Sequence, residues 1–384
     1  MSDISGGELL MECLANQGAK IIFGIPDGGF NIMFKWAHFN SEKRGLRFVT
    51  PRHEAAGAHM ADAMARVTGR PGIVIAGAGP GAANVISGVI TAYAENIPMI
   101  VLTTSRRTDL ISPPRGGMQV FDQVAAFKPV TKLSAMLTCW ERIPELVALA
   151  YRTALSGMQG PVHLDIPEDM LNARKPEGAV APTPPVWDSL AVSGADEELV
   201  ARAAEMLLNA KMPMIHAGTA VVRCGATDEL IALAEYLGIP VSESPTARGA
   251  MPEDHPLCVP PVAMMARAAL SQTDVVLAVG VKFGELDFFG KAPVWGPPDK
   301  QKIIHNHIAP EQIGVNRKAD LPLPGHAKIV LRQLLEAVKK LSPKRDEHPK
   351  AKDCRQLIAM GDNSFKAKYF TGKAPIVTGE QVSQ

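Results

Sequence analysis

The chain has 384 residues, enough for two ordinary domains with a linker or tail. Hydrophobic residues make up 46% and charged residues 21%, and 40 Lys and Arg against 39 Asp and Glu leave a formal charge of +1. That balance excludes a basic field for nucleic acid, so no nucleic-acid partner is expected. Five scattered cysteines without CxxC spacing (Cys13, Cys139, Cys224, Cys258 and Cys354) argue against a zinc or disulfide framework and for a cytoplasmic home. Met1 to Ser5 lacks the basic and then apolar order of a signal peptide. The uncharged run 73–94 is broken by Gly77, Gly79, Pro80, Gly81, Asn84 and Gly88. Those residues suit a strand, a tight turn and a buried helix rather than a membrane span.

Along the first 173 residues, helical patterns alternate with short apolar runs, the signature of a parallel sheet covered by helices. Helices are expected over 7–17, over 54–68 and after the glycine turn at 77–81. Strands are expected over 20–24, 46–50, 72–76, 98–103 and 161–166. Residues 174–194 are rich in Pro, Ala and Ser and read as a linker. A second α/β unit follows over 195–341, with strands over 211–217, 274–280 and 302–308 and helices over 228–237 and 327–340. The fold class is therefore α/β, two doubly wound parallel-sheet domains, with 342–384 as a basic connector.

Several segments, in order, resemble the thiamine-diphosphate-dependent enzymes of the acetolactate synthase, benzoylformate decarboxylase and 2-hydroxyacyl-CoA lyase group. Phe23-Gly-Ile-Pro-Asp-Gly-Gly29 is similar to that family's first strand and loop. Arg52-His-Glu-Ala-Ala-Gly57, with Ala61-Asp62, Ala65-Arg66 and Thr68-Gly-Arg-Pro-Gly72, resembles its most recognisable helix. Gly77-Ala-Gly-Pro-Gly81 with Asn84 and Gly88 resembles its glycine loop; Gln119, Asp122-Gln-Val124, Lys128-Pro129 and Gly160-Pro161 with Asp165-Ile-Pro167 complete the first domain. The resemblance covers roughly 5–340, the family's pyrimidine-binding domain and its Rossmann-like central domain.

The resemblance implies roles for particular residues. Glu54 would hydrogen-bond a ring nitrogen of the cofactor's aminopyrimidine and favour the imino tautomer, whose nitrogen takes the proton from the thiazolium C2; a carboxyl in an enclosed site suits that exchange. Without the motif, a glutamate there reads first as a helix N-terminal residue favouring the dipole. Pro26, Gly79, Pro80, Gly81 and Asn84 would meet the cofactor, and Gly28, Gly29 and Gln119 the substrate. The glycine segments also read as ordinary tight turns. The loop 77–81 is no P-loop, since it lacks the lysine and the GxGxxG order. Met118, Phe121 and Phe127 are candidates for the pocket wall, with burial in a core the commoner fate of such residues. Arg106, Arg107 and Arg115 are candidates for an anionic substrate or for a solvated loop face. His53 and His59 read as structural, and the loop before Gln119 lacks the adjacent His pair of pyruvate decarboxylases.

In the second unit, Ile303-Ile-His-Asn-His-Ile-Ala-Pro310 is similar to the family's Ile-Asp-Ile-Asp-Pro strand, with His307 and Ala309 where aspartates usually stand. In relatives an acid there meets adenosine, so the substitution argues against FAD, or the ADP of CoA, in this domain. His255 and His307 are not spaced as metal ligands. The Gly-Asp-Gly and downstream Asn that hold Mg²⁺ and the diphosphate in the family are missing. Gly361-Asp-Asn363 lies in the basic tail with no strand before it and no room after it. The expectation is a split enzyme: a C–C lyase or carboligase subunit acting on a 2-keto acid or a 2-hydroxyacyl-CoA. Its thiamine diphosphate would be shared with a separate chain that carries Mg²⁺ and the diphosphate-binding domain, in an even-numbered hetero-oligomer. The alternatives are a non-catalytic binding or regulatory protein on the same fold, or a piece of a longer single-chain enzyme.

Overall fold

The computed structural model describes residues 4–111, 113, 115–177, 192–259 and 270–345. Most of the Pro-rich linker, and Gly361-Asp-Asn363 with the tail after 345, lie outside the described residues. The chain divides into two compact units with the boundary between Ala191 and Val192.

In the first unit the elements run α1 (Gly6–Asn16), β1 (Ile21–Gly24), α2 (Asn31–Arg44), β2 (Arg47–Val49), α3 (Glu54–Thr68), β3 (Gly72–Ala76), α4 (Pro80–Ala94) and β4 (Met99–Ser105). They continue with α5 (Thr108–Ile111), α6 (Gln123–Phe127), β5 (Leu133–Met136), α7 (Ile143–Leu155), β6 (Pro161–Pro167) and α8 (Glu168–Asn172). The six strands form one parallel sheet in the order β2-β1-β3-β4-β6-β5. Because helices cover both faces, β3, β4 and β6 are buried along their whole length; β3 reads as an unbroken apolar run, while β4 and β6 carry buried polar residues among their apolar ones. Ile73 and Ile75 point into a core built with α1, α2 and α7. Val74 and Ala76 point into another, with Ala58, Ala61 and Ala65 of α3 and Ala82, Val85 and Val89 of α4. The alanines and glycines let these two helices lie close: a Cβ on Gly88 would come within 2.5 Å of the Ala58 Cβ.

The second unit runs α9 (Glu197–Asn209), β7 (Pro213–Ala217), α10 (Thr219–Arg223), α11 (Thr227–Leu237), β8 (Val241–Glu243) and β9 (Cys258–Val259). Then come β10 (Val275–Val279), β11 (Lys302–His307), β12 (Leu321–Pro324) and α12 (Ala327–Leu341). Its six strands are also all parallel, in the order β12-β11-β10-β7-β8-β9. That is the Rossmann arrangement, two three-strand halves diverging from the β7–β10 pair. The unit extends past residue 341: Tyr236 Oη donates to the Ser342 carbonyl (2.9 Å) and the Arg345 guanidinium to the Leu208 carbonyl (3.0 Å). The first residues expected to be connector therefore cover the helices of this unit. No helix among the described residues is long and apolar enough to cross a membrane.

Candidate functional site

In the first sheet the chain steps from β1 outward to β2, then returns to the other side of β1 at β3. The loops leaving the carboxyl ends of β1 and β3 diverge there, and such a switch point is where doubly wound sheets open a crevice. The loop after β1 carries Pro26 to Gly29, that after β3 carries Gly77 to Gly81, and α3 begins nearby with Glu54.

His53 caps α3: its Nδ1 accepts the Ala55 N–H at 3.2 Å, satisfying a first-turn donor. Glu54 is thereby the first residue of the helix, where the N-terminal dipole favours a carboxylate. It is half-buried, and Asn84, thirty positions on and exposed on α4, donates from Nδ2 to its Oε2 at 3.1 Å. The two residues singled out on separate motifs thus form one hydrogen-bonded pair.

The glycine loop is a set of seats for other site residues. A Cβ on Gly77 would stand 2.7 Å from the Asp27 carboxyl carbon, and one on Gly79 would stand 2.7 Å from the Gln119 Cβ. Gly79 also holds φ +67 and ψ −110, which an L side chain resists. Gln119 itself lies at φ +66, outside the range ordinary residues prefer, and its side chain is exposed. Gly29 packs on Thr104, where a Cβ would stand 2.8 Å from Cγ2, and Asp27 Oδ1 accepts the Gly29 N–H at 2.9 Å.

Two glycines differ from these. A Cβ on Gly81 would meet only ordinary contacts, 3.5 Å from Glu54 Oε1 and 3.7 Å from the Ala76 carbonyl carbon, and a Cβ on Gly28 would meet nothing within 4 Å. Neither needs positive φ. The fold has no steric use for glycine at either position, whereas a flat ring laid against this backbone beside Glu54 would. The donor set and the cleared space fit an aminopyrimidine.

Pro26 and Pro80 are exposed at the rim. The loop cations are largely engaged: Arg106 Nη1 lies 2.8 Å from Glu168 Oε1 and Arg107 Nε 3.1 Å from Asp109 Oδ1, while Arg115 is exposed. Of the three apolar candidates only Phe127 takes the commoner fate, fully buried and stacked on His163 at 3.9 Å. Met118 (72% exposed) and Phe121 (39%) are instead exposed, on either side of Gln119 in the chain. Among the described residues no group of three or more His, Cys, Asp or Glu is placed to hold a metal ion.

Sequence reasoning gave no role to Gln123 or Asp27. Gln123 is a buried amide on a five-residue helix, and Asp27 is a turn residue; neither position announces its partner from local sequence.

Residues 4–126 match the family model described as the thiamine pyrophosphate enzyme N-terminal TPP binding domain, and 200–334 that described as the thiamine pyrophosphate enzyme central domain. The chain belongs to the thiamine pyrophosphate enzyme family. Among its relatives is the probable acetolactate synthase large subunit of Methanocaldococcus jannaschii, 36% identical over 359 residues, which are 90% of this chain and 58% of that protein. The acetolactate synthase isozyme 3 large subunit of Escherichia coli is 33% identical over 347 residues, 88% of this chain and 58% of that one. The acetolactate synthase large subunit of Corynebacterium glutamicum is 33% identical over 345 residues, 88% and 53%. The chain thus spans less than two thirds of the length of these relatives. The first unit is the family's pyrimidine-binding domain and the second its central domain.

Proposed function

We propose that this chain is the cofactor-activating subunit of a split thiamine-diphosphate enzyme of the acetolactate synthase type, joining or cleaving a C–C bond next to the carbonyl of a 2-keto acid. The observation that carries this reading is the Glu54 carboxylate, oriented by Asn84 and lying beside Gly81, where no neighbour stands closer than ordinary contact to a Cβ. Bound thiamine diphosphate supplies a nucleophilic carbon that the twenty side chains lack. Glu54 holds and exchanges a proton at Oε1, the oxygen nearest Gly81, while Asn84 anchors Oε2 so that Oε1 keeps its direction. The Gly77–Gly81 backbone forms the floor, and Gln119 is the exposed polar group that meets the substrate.

The diphosphate and its Mg²⁺ are assigned to a separate chain with hard oxygen ligands. What supports a partner is the exposed face that runs from the Glu54 end along α3 and α4. Ala56, His59, Met60 and Val67 of α3 and Ala83, Ile90 and Tyr93 of α4 are exposed, with Val67 at 88%, Ile90 at 49% and Tyr93 at 44%. Apolar surface of that extent rimmed by polar residues suits burial against another chain. A partner seated there would reach the open side of Glu54 and exclude water from it.

The test is reconstitution: this chain, a diphosphate-binding partner chain, Mg²⁺ and thiamine diphosphate, assayed for consumption of a panel of 2-keto acids. Turnover is expected only with both chains, and Glu54→Gln should lower it by about 10² to 10⁴ with assembly intact. Undiminished turnover in that variant would sink the mechanism. Absence of cofactor-dependent turnover with every candidate partner would move the assignment to a binding protein on this fold.

A further inference from the structure

Beneath the glycine loop lies a polar network inside the sheet. Register places Thr103 of β4 beside Asp165 of β6, and Ser134 of β5 beside His163 of β6. Thr103, His163, Asp165 and Gln123 are all at most 2% exposed. Polar groups removed this far from water are costly unless every one is paired, and here they pair with each other. Gln123 Nε2 donates to Asp165 Oδ1 at 2.6 Å and to the Thr104 carbonyl at 2.9 Å. Thr103 Oγ1 stands 2.7 Å from Asp165 Oδ1 and 2.8 Å from His163 Nε2, and His163 Nδ1 is 2.8 Å from Ser134 Oγ.

The network ends at the loop. Gln123 Oε1 accepts the Gly79 N–H at 2.9 Å, a fully buried bond across 44 positions of sequence. The amide can face only one way: flipped, its NH₂ would confront the Gly79 N–H and its oxygen would confront the Asp165 carboxyl. Asp165 thus fixes Gln123, Gln123 fixes Gly79, and the missing Cβ of Gly79 is where Gln119 sits. Two backbone residues at positive φ, Gly79 and Gln119, meet at this one point.

We propose that Gln123 and Asp165 are positioning residues: the amide, oriented by the carboxylate, holds the Gly79 N–H from below and so sets the height of the Gly77–Gly81 loop and of Gln119 against the bound ring. Only the identity of that ring rests on the function proposed above. Burial pushes the Asp165 carboxyl up and the His163 imidazole down to about 3, so the network works with a neutral histidine near neutral pH.

Amide hydrogen exchange on the full chain, without cofactor, tests the anchor directly. Gln123→Met keeps the volume and removes both ends of the bridge; exchange across 77–84 should rise about tenfold while β3 and β6 stay within about twofold of the parent. Asp165→Asn keeps an acceptor for the Gln123 amide and should leave the loop near the parent rate. If Gln123→Met does not fold, Gln123→Asn, one methylene too short to bridge Gly79 and Asp165, should loosen the same segment. In the reconstituted complex Gln123→Met should also weaken thiamine diphosphate binding about tenfold, read by titration of the cofactor. Unchanged exchange across 77–84 in Gln123→Met, or a rise there that β3 and β6 share equally, overturns the positioning role. A parent complex that binds no thiamine diphosphate overturns the proposed function instead, and the cofactor-free exchange result separates the two failures.

Discussion

The two units place glycines at the same topological point and use them for opposite purposes. At the switch point of the second sheet, a Cβ on Gly218 would stand 2.2 Å from the Gly280 carbonyl oxygen, and one on Gly280 would stand 2.2 Å from the Ala220 Cβ. There the glycines close the crevice by letting chain pack on chain. In the first unit the loop glycines Gly77, Gly79 and Gly81 face the Asp27, Gln119 and Glu54 side chains, and Gly28 faces nothing within 4 Å. The polar groups differ in the same way. His305 Nε2 lies 2.8 Å from the Val281 carbonyl, its Nδ1 accepts the Gly314 N–H at 3.3 Å, and His307 Nδ1 accepts the Ala309 N–H at 3.1 Å, so the strand that stands in place of the acidic one is turned inward. Gln119 is instead exposed and Glu54 half-buried. Like topology therefore sets the loop glycines against site side chains in one unit and against neighbouring backbone and Ala220 in the other.

Acid should have the largest effect, and in both units. Burial pushes His163 down to about 3 and His307 to about 4. Between those values and the ordinary histidine value near 6.5, the unfolded chain binds protons that the folded chain refuses, so stability is full above that range and is lost as pH falls through it. Asp165, raised by burial, acts in the opposite sense, its contribution being lost as pH rises through its folded pKa. His163→Gln should spare the first unit about 3 kcal/mol of the loss between pH 7 and pH 4, measured by urea unfolding with exchange resolving the units. An unaltered acid limb in that variant would place the lability elsewhere.

Next in size is Gly218→Ala, expected to cost about 2 kcal/mol, because the clashing partner is backbone. A neutral result would mean the second crevice yields. Asn84→Ala removes the Asn84 Nδ2 donor to Glu54 Oε2; turnover should fall roughly tenfold with a stability change under about 1 kcal/mol. The smallest stability effect belongs to Gly81→Ala, within about 0.5 kcal/mol of the parent or slightly stabilising, since alanine suits the first turn of α4. Cofactor binding by the complex should nonetheless weaken. If Gly81→Ala left binding untouched, the claim that this glycine serves a ligand would fall.

Much of this was legible in the residues because local physics fixed it. The run Glu54–Thr68 is capped and rich in small apolar residues, and the helix spans those residues. β3 follows from an uninterrupted apolar run between glycines. By contrast α2 gives little sign of itself: Met33, Trp36 and Ala37 are buried, yet Phe39 on the same helix is 72% exposed, so no clean apolar stripe marks it. The short α6 is likewise set by what packs on it, with Phe127 pinned against His163.

The site divides along the same line. Sequence by itself determined the alternating α/β plan, the glutamate that opens α3 and the glycines of the loop after β3, because periodicity, capping and turn chemistry act over a few residues. Only the tertiary structure decided that Asn84 orients Glu54, that Arg106 belongs to Glu168, and that Gln123 and Asp165 stand beneath Gly79. Those pairs are 30 to 62 positions apart. Strand order and register bring them together, and hydrogen-bond satisfaction in a dry interior then chooses each partner.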